Sequence, residues 1–150
     1  MNLDRYEFSV GRNFLDFEFC SEGPNGKIVK VIRFTPQNAN GITYFSHGFG
    51  DVNEEANRID DQSISNNQDR TKILATVAYA VLEFTSYFTD VMIHAKGSTP
   101  ARTRLYQMGI SANLDEVQAV LHVYGFIDGE WQPFKKNINY EAFLVKHKKS

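Results

Sequence analysis

The chain has 150 residues, 42% of them hydrophobic, and a formal net charge of −2, enough for one buried core and too little for two ordinary domains. The acidic balance excludes a general attraction to nucleic acid, and no apolar run approaches the roughly 18 residues that a membrane span needs. A lone cysteine, Cys20, excludes an internal disulfide.

In chain order, the first third reads as strands. In "FLDFEFC", Leu15, Phe17 and Phe19 alternate with Asp16 and Glu18, the period of a half-buried strand. Cys20 closes this run and is expected to be a buried, inert thiol. "KIVKVIRF" follows after Asn25-Gly26, a two-residue hairpin signal, and Asn40-Gly41 repeats that signal before "ITYFSHGFG". Residues 51–68 are polar and acidic and read as one long loop. Asp51, Asn53 and Glu55 begin like a calcium loop, but Ala56 and Gln62 stand where that loop needs Gly and Glu, so no metal site is expected.

The period then changes. Ile73, Val77, Val81, Phe84 and Phe88 follow helical spacing, with Asn66, Asn67 or Asp69 as candidate caps and Thr89-Asp90 as the stop. "VMIHA" reads as a short buried strand. Thr99 then offers an N-cap, Pro100 the favoured first helical position and Gly109 a stop, so a second helix is expected between them. "NLDEVQAVLHVYGFID" reads as a short helical turn followed by a strand from about Val120. Asp128-Gly129 turns the chain into "EWQPF", and "AFLVKH" is the last strand. The expected fold is a single α+β domain over 1–150, with a mixed, mainly antiparallel sheet and two main helices in the order β-β-β-α-β-α-β-β.

Charge divides unevenly along this order. Residues 1–90 hold 8 Lys plus Arg against 13 Asp plus Glu, whereas residues 91–150 hold 8 against 5. The basic second half contains "HAKGSTPARTRLYQ". A helix N-terminus there offers unpaired N–H groups, Gly97 gives room for close approach, and Ser98 and Thr99 add hydroxyls. Arg102 and Tyr106 lie four apart on one face, one turn after Thr99, with Lys96 and Arg104 nearby. This convergence points to a phosphate- or carboxylate-binding turn. The start of the first helix, with Asn67 and Lys72, is expected to face the same crevice. His47 and His94 both fall in expected strands, where each either reaches this crevice or packs quietly in the sheet. The N-terminal "MNLDRYEFSV" carries charges throughout, unlike a secretory leader, so a cytoplasmic location is expected.

Two resemblances rest on these residues. "DRTKILATVAYAVLEF" followed by "KGSTPARTRLYQMGI" resembles a family of short, mostly Bacteroidota proteins without an assigned activity. "ARTRLYQMGI" is also similar to the C-terminal motif of the Gcn5-related N-acetyltransferases. That likeness implies an acetyltransferase-like fold, a coenzyme A type ligand, and Tyr106 in the position of the family's general acid. The family's glycine-rich pyrophosphate loop is replaced here by "NNQDRTK".

The functional expectation is an acyltransferase-like domain binding an anionic, phosphate-bearing ligand at residues 96–106. Tyr106 and His47 are its candidate catalytic residues; Lys96, Gly97, Ser98, Thr99, Arg102, Arg104, Asn67 and Lys72 are its candidate ligand contacts. The alternative is a non-catalytic module for a nucleotide, nucleic acid or protein partner, such as a toxin–antitoxin, phage-related or regulatory component. A nuclease using His94, Lys96 and Arg102 is a third reading.

Overall fold

The computed structural model describes residues 4–53, 58–60 and 68–148. A two-residue strand and three long ones open the domain, all antiparallel: β1 (Ser9–Val10) pairs with β2 (Asp16–Gly23), β2 with β3 (Gly26–Ala39), and β3 with β4 (Ile42–Asn53). The first tight turn is Pro24-Asn25 rather than Asn25-Gly26, because Gly23 pairs with Gly26, whose φ of 84° suits glycine. Asn40-Gly41 and Asp128-Gly129 turn as expected, with both residues of each pair at positive φ. A short strand β5 (Arg58–Asp60) pairs with the end of β4 inside the segment expected to be all loop. The calcium-loop residues Glu55, Ala56 and Gln62 lie outside the described residues.

Helix α1 (Arg70–Tyr87) leads into β6 (Met92–Ala95), and α2 (Pro100–Ala112) into α3 (Leu114–Val120) and β7 (Leu121–Ile127). Strands β8 (Glu130–Pro133) and β9 (Ala142–His147) finish the sheet. The sheet order is β1-β2-β3-β4-β6-β9-β7-β8, with β5 on β4. Among the described pairs only β4 and β6 run parallel. The mixed, mostly antiparallel α+β class stands, with three helices rather than two. Helix α2 does not stop at Gly109: that glycine is buried against Leu74 of α1, where a Cβ would meet the Leu74 Cδ2 at 3.3 Å.

Strand alternation divides the sheet into two faces. Phe17, Phe19, Ile32, Phe34, Phe45, Ile93, Leu121, Phe143 and Val145 point toward the helices and form one core with Phe84 and Val117. The Phe34 and Phe84 rings stack with centroids 3.9 Å apart, and Phe45 meets Phe84 edge-on at 5.2 Å. Fully burying each such side chain contributes about 1.5–3 kcal/mol. Among the described residues no helix covers the opposite face. It carries Tyr44, His94, an exposed Trp131 and Phe126, whose rings contact one another in that order.

Because β4 and β6 are parallel, α1 and α2 both start at the same end of the sheet. Their N-termini are anchored from different sides. Asp69, at the N-cap of α1, makes no cap bond; its Oδ2 instead accepts from the Tyr6 hydroxyl at 2.5 Å and the Ser21 hydroxyl at 2.6 Å. Thr99 caps α2 by accepting from the Arg102 N–H at 3.2 Å. Further along α2, Gln107 is held on both ends, accepting from the Tyr140 N–H at 3.0 Å and donating to the Ile138 carbonyl.

Candidate functional site

Between α1 and α2, above β3, β4, β6 and β9, lies a cavity of about 1290 Å³. Its lining is exposed at the two helix N-termini, its mouth, where Arg70 and Arg104 stand with the half-buried Lys72 and Arg102, and also at Met108 further along α2; Lys30 enters from β3. Asp69 is the one described acidic residue in the lining, and it is already bonded to Tyr6 and Ser21. The field in the mouth therefore favours an anion. Away from the mouth the walls are hydrocarbon: Val77, Ala78 and Val81 from α1, Leu105 and Ile110 from α2, and Val145 from β9.

His47 sits in the floor. Its place on β4, between Phe45 and Phe49 on the helix-side face, leaves it 7% exposed. Neither ring nitrogen has a hydrogen-bond partner of good geometry; only the residue's own backbone bears on the ring, weakly favouring the charged form. Burial pushes its pKa down to about 4, so the imidazole is neutral at neutral pH, with one N–H to donate and one lone pair to accept. Tyr106 meets it edge-on, ring centroids 5.2 Å apart. An unpartnered buried imidazole costs roughly 1–3 kcal/mol, and a ligand that hydrogen-bonds to it recovers that cost.

The cations of the mouth are arranged over aromatic rings. Arg102 lies 6.0 Å and Lys30 5.8 Å from the Phe49 centroid, and Lys72 lies 4.3 Å from that of Tyr6. Lys72 also forms a 3.7 Å ion pair with the exposed Asp4. Past His47, strand β4 has no partner on its β6 side until β5 begins opposite Asp51, so the Gly48–Gly50 edge is unpaired there among the described residues. Phe49, in the middle of this edge, lines the cavity.

A family model described as "Family of unknown function (DUF6934)" matches residues 2–148. The chain belongs to the DUF6934 family. No curated protein and no solved structure matches it.

In this DUF6934 chain, His47, Lys72, Thr99, Arg102, Arg104 and Tyr106 line one cavity. Lys96, Gly97 and Ser98 do not line it. The open space around Gly97 assumed from sequence is filled by α2 itself: a Cβ would lie 2.4 Å from the Arg102 Cβ and 2.5 Å from the Thr103 nitrogen. Its N–H donates to the Thr103 hydroxyl at 3.0 Å. Asn67 lies outside the described residues. His94 faces the uncovered side of the sheet, next to Tyr44 and Trp131, so the nuclease grouping of His94 with Arg102 is split by the sheet. Its pKa is lowered, first by burial and then by the Lys96 charge.

Besides Arg70, which stands near Lys72 at the start of α1, the cavity holds Lys30 and Phe49, which sequence reasoning missed. Lys30 is 4% exposed yet carries a charge-bearing side chain. Its signal was present in "KIVKVIRF": a period of two puts Lys30 on the face of Ile32 and Phe34. Phe49, beneath Arg102, follows from His47 by the same rule.

Proposed function

We propose that this chain is an acyltransferase-like domain that binds a phosphate-bearing ligand of the coenzyme A type in the cavity between α1 and α2. The observation that carries the proposal is the buried, unpartnered His47 in a cavity also lined by Lys30, Arg70, Lys72, Arg102 and Arg104. The strand sequence β4-β6-β9-β7, with α1 and α2 starting from one end, supports the acetyltransferase-like reading.

The residues present suit such a ligand. Arg70, Lys72, Arg102 and Arg104 would hold its phosphates, with Thr99 and the α2 N-terminus beside them. The Gly48–Gly50 edge offers backbone groups to an amide-bearing arm. When bound, the ligand supplies an acyl group activated as a thioester. Of the chain's own groups, Tyr106 would donate a proton, and His47 would accept one through its free lone pair. A nearby phosphate raises the basicity of His47 by favouring the charged imidazolium.

A second reading, a binding module without turnover, draws on the absence of any carboxylate or hydroxyl orienting His47 among the described residues. One experiment separates the two. Thermal shift with coenzyme A, acetyl-coenzyme A and nucleotides is run beside a thiol-release assay with amine acceptors. A ligand at a hundred times its dissociation constant adds about 2.7 kcal/mol of stability. Stabilisation by coenzyme A that Arg102→Ala abolishes, with thiol release that His47→Gln abolishes, supports the transferase. Stabilisation without thiol release supports the module, and no stabilisation by any of these removes the anion site.

A further inference from the structure

We infer that the ligand of this cavity is a single-chain amphiphile, with an anionic head at the two helix N-termini and an alkyl chain running between α1 and α2. The inference rests on the anion-binding reading above and specifies the rest of the molecule. Polarity falls in the same direction along both helices. On α1, Arg70 and Lys72 occupy the first turn, and Val77 and Val81 line the cavity two to three turns further on. On α2, Arg102 stands at the start and Ile110 near the end.

The strand floor repeats this order. His47, level with Ala95 and Phe143, lies nearer the mouth, and Ile93 and Val145 lie one step deeper. An anion held at the mouth therefore points the rest of its body over hydrocarbon. Those walls cannot satisfy the hydroxyls of a sugar or the edges of a base, so a polar body would be bound at a penalty. An alkyl chain meets no such penalty.

Among the cavity-lining residues described, His47 alone has buried side-chain polar atoms without a partner. It fixes one hydrogen-bonding group, a carbonyl or hydroxyl, near the junction of head and chain. The eight steps along the helix from Arg102 to Ile110 rise about 12 Å. At roughly 1.2 Å per bond of an extended chain, that length holds about ten bonds. The chemistry is shared by an alkyl or acyl phosphate and a fatty acid.

The test is calorimetry of the full chain with butyl, hexyl, octyl, decyl and hexadecyl phosphate below their micelle concentrations. Carboxylates of the same lengths and coenzyme A run in parallel. Expected is one chain bound per protein, with affinity rising about threefold to fourfold per methylene up to about ten carbons and then levelling. The head group with the steepest gain names the source. Ala78→Trp, which places an indole in the chain's path, is expected to cancel the gain from the longer chains and leave butyl phosphate unaffected.

Equal affinity for butyl and decyl phosphate overturns the amphiphile and leaves the anion site intact. Uptake of several chains per protein also overturns it. Loss of all phosphate and coenzyme A binding instead takes down the underlying reading. The wild-type chain-length series decides even if Ala78→Trp fails to fold.

Discussion

His47 makes the protein's stability depend on pH in a way that can be read without knowing the ligand. Its folded pKa of about 4 lies below the ordinary histidine value of 6.5, because burial penalises the charged ring. Above pH 6.5 the imidazole is neutral in both folded and unfolded chains and contributes no pH dependence. Between 6.5 and 4 the unfolded chain binds a proton that the folded chain refuses, so stability falls as pH falls. The full difference corresponds to about 3 kcal/mol. Urea unfolding at pH 7, 5.5 and 4.5 is expected to show this loss in wild type and a shallower one in His47→Phe. That variant is also expected to be at least as stable as wild type at pH 7, since it replaces an unpartnered polar ring by an apolar one of similar size. A parallel pH dependence in both proteins would assign the loss to other groups. That His47 faces inward was legible from "YFSHGFG" by alternation. Its lack of a partner was not, because a missing hydrogen bond depends on every element packed around the ring.

Two glycines set how α2 enters and leaves the site, and they do so by different physics. Gly97 has no room for a side chain: the nearest atoms to an added Cβ are the Arg102 Cβ and the Thr103 backbone nitrogen, which cannot move without shifting the helix. Gly97→Ala is expected to destabilise by about 1–3 kcal/mol, the usual cost of overpacking, and to displace Arg102 from the mouth. Gly109 faces only the flexible Leu74 side chain at 3.3 Å. Gly109→Ala gains helix propensity worth up to about 1 kcal/mol and is expected to be neutral to stabilising. Chemical denaturation of the two variants checks the pair; equal losses would mean that Leu74 cannot give way. The start of α2 was legible because Thr99-Pro100 is a local signal. Its end was not: Gly109 looks like a helix stop but serves helix–helix contact with α1, a long-range fact that no local pattern encodes. The same limit explains β5, whose three residues form a strand only because the end of β4 lies alongside.

At the scale of the molecule, the sheet separates two surfaces. The described helices cover one face and enclose the cavity; the other presents Tyr44, His94, Trp131 and Phe126 in a row, with Trp131 42% exposed. The sequence made the hairpins and the mixed order legible, since each rests on turns and local periodicity. It did not place β9 between β6 and β7, because that pairing joins segments far apart in the chain. This division of faces fixes what a bound ligand can be felt by. Ordering a ligand between α1 and α2 protects the amides of their first turns and of Gly48–Gly50, while β7 and β8 pair at the far edge of the sheet, beyond β9. Hydrogen exchange with decyl phosphate or coenzyme A is therefore expected to slow at those three places and remain unchanged in the β7–β8 hairpin. The emission of Trp131, the chain's single tryptophan, is expected to stay fixed and remain open to quenching by iodide. A ligand that shifts Trp131 emission while leaving the first turns of α1 and α2 unprotected would place binding on the uncovered face, where stacking on the aromatic row, and not the cations of the mouth, would govern affinity.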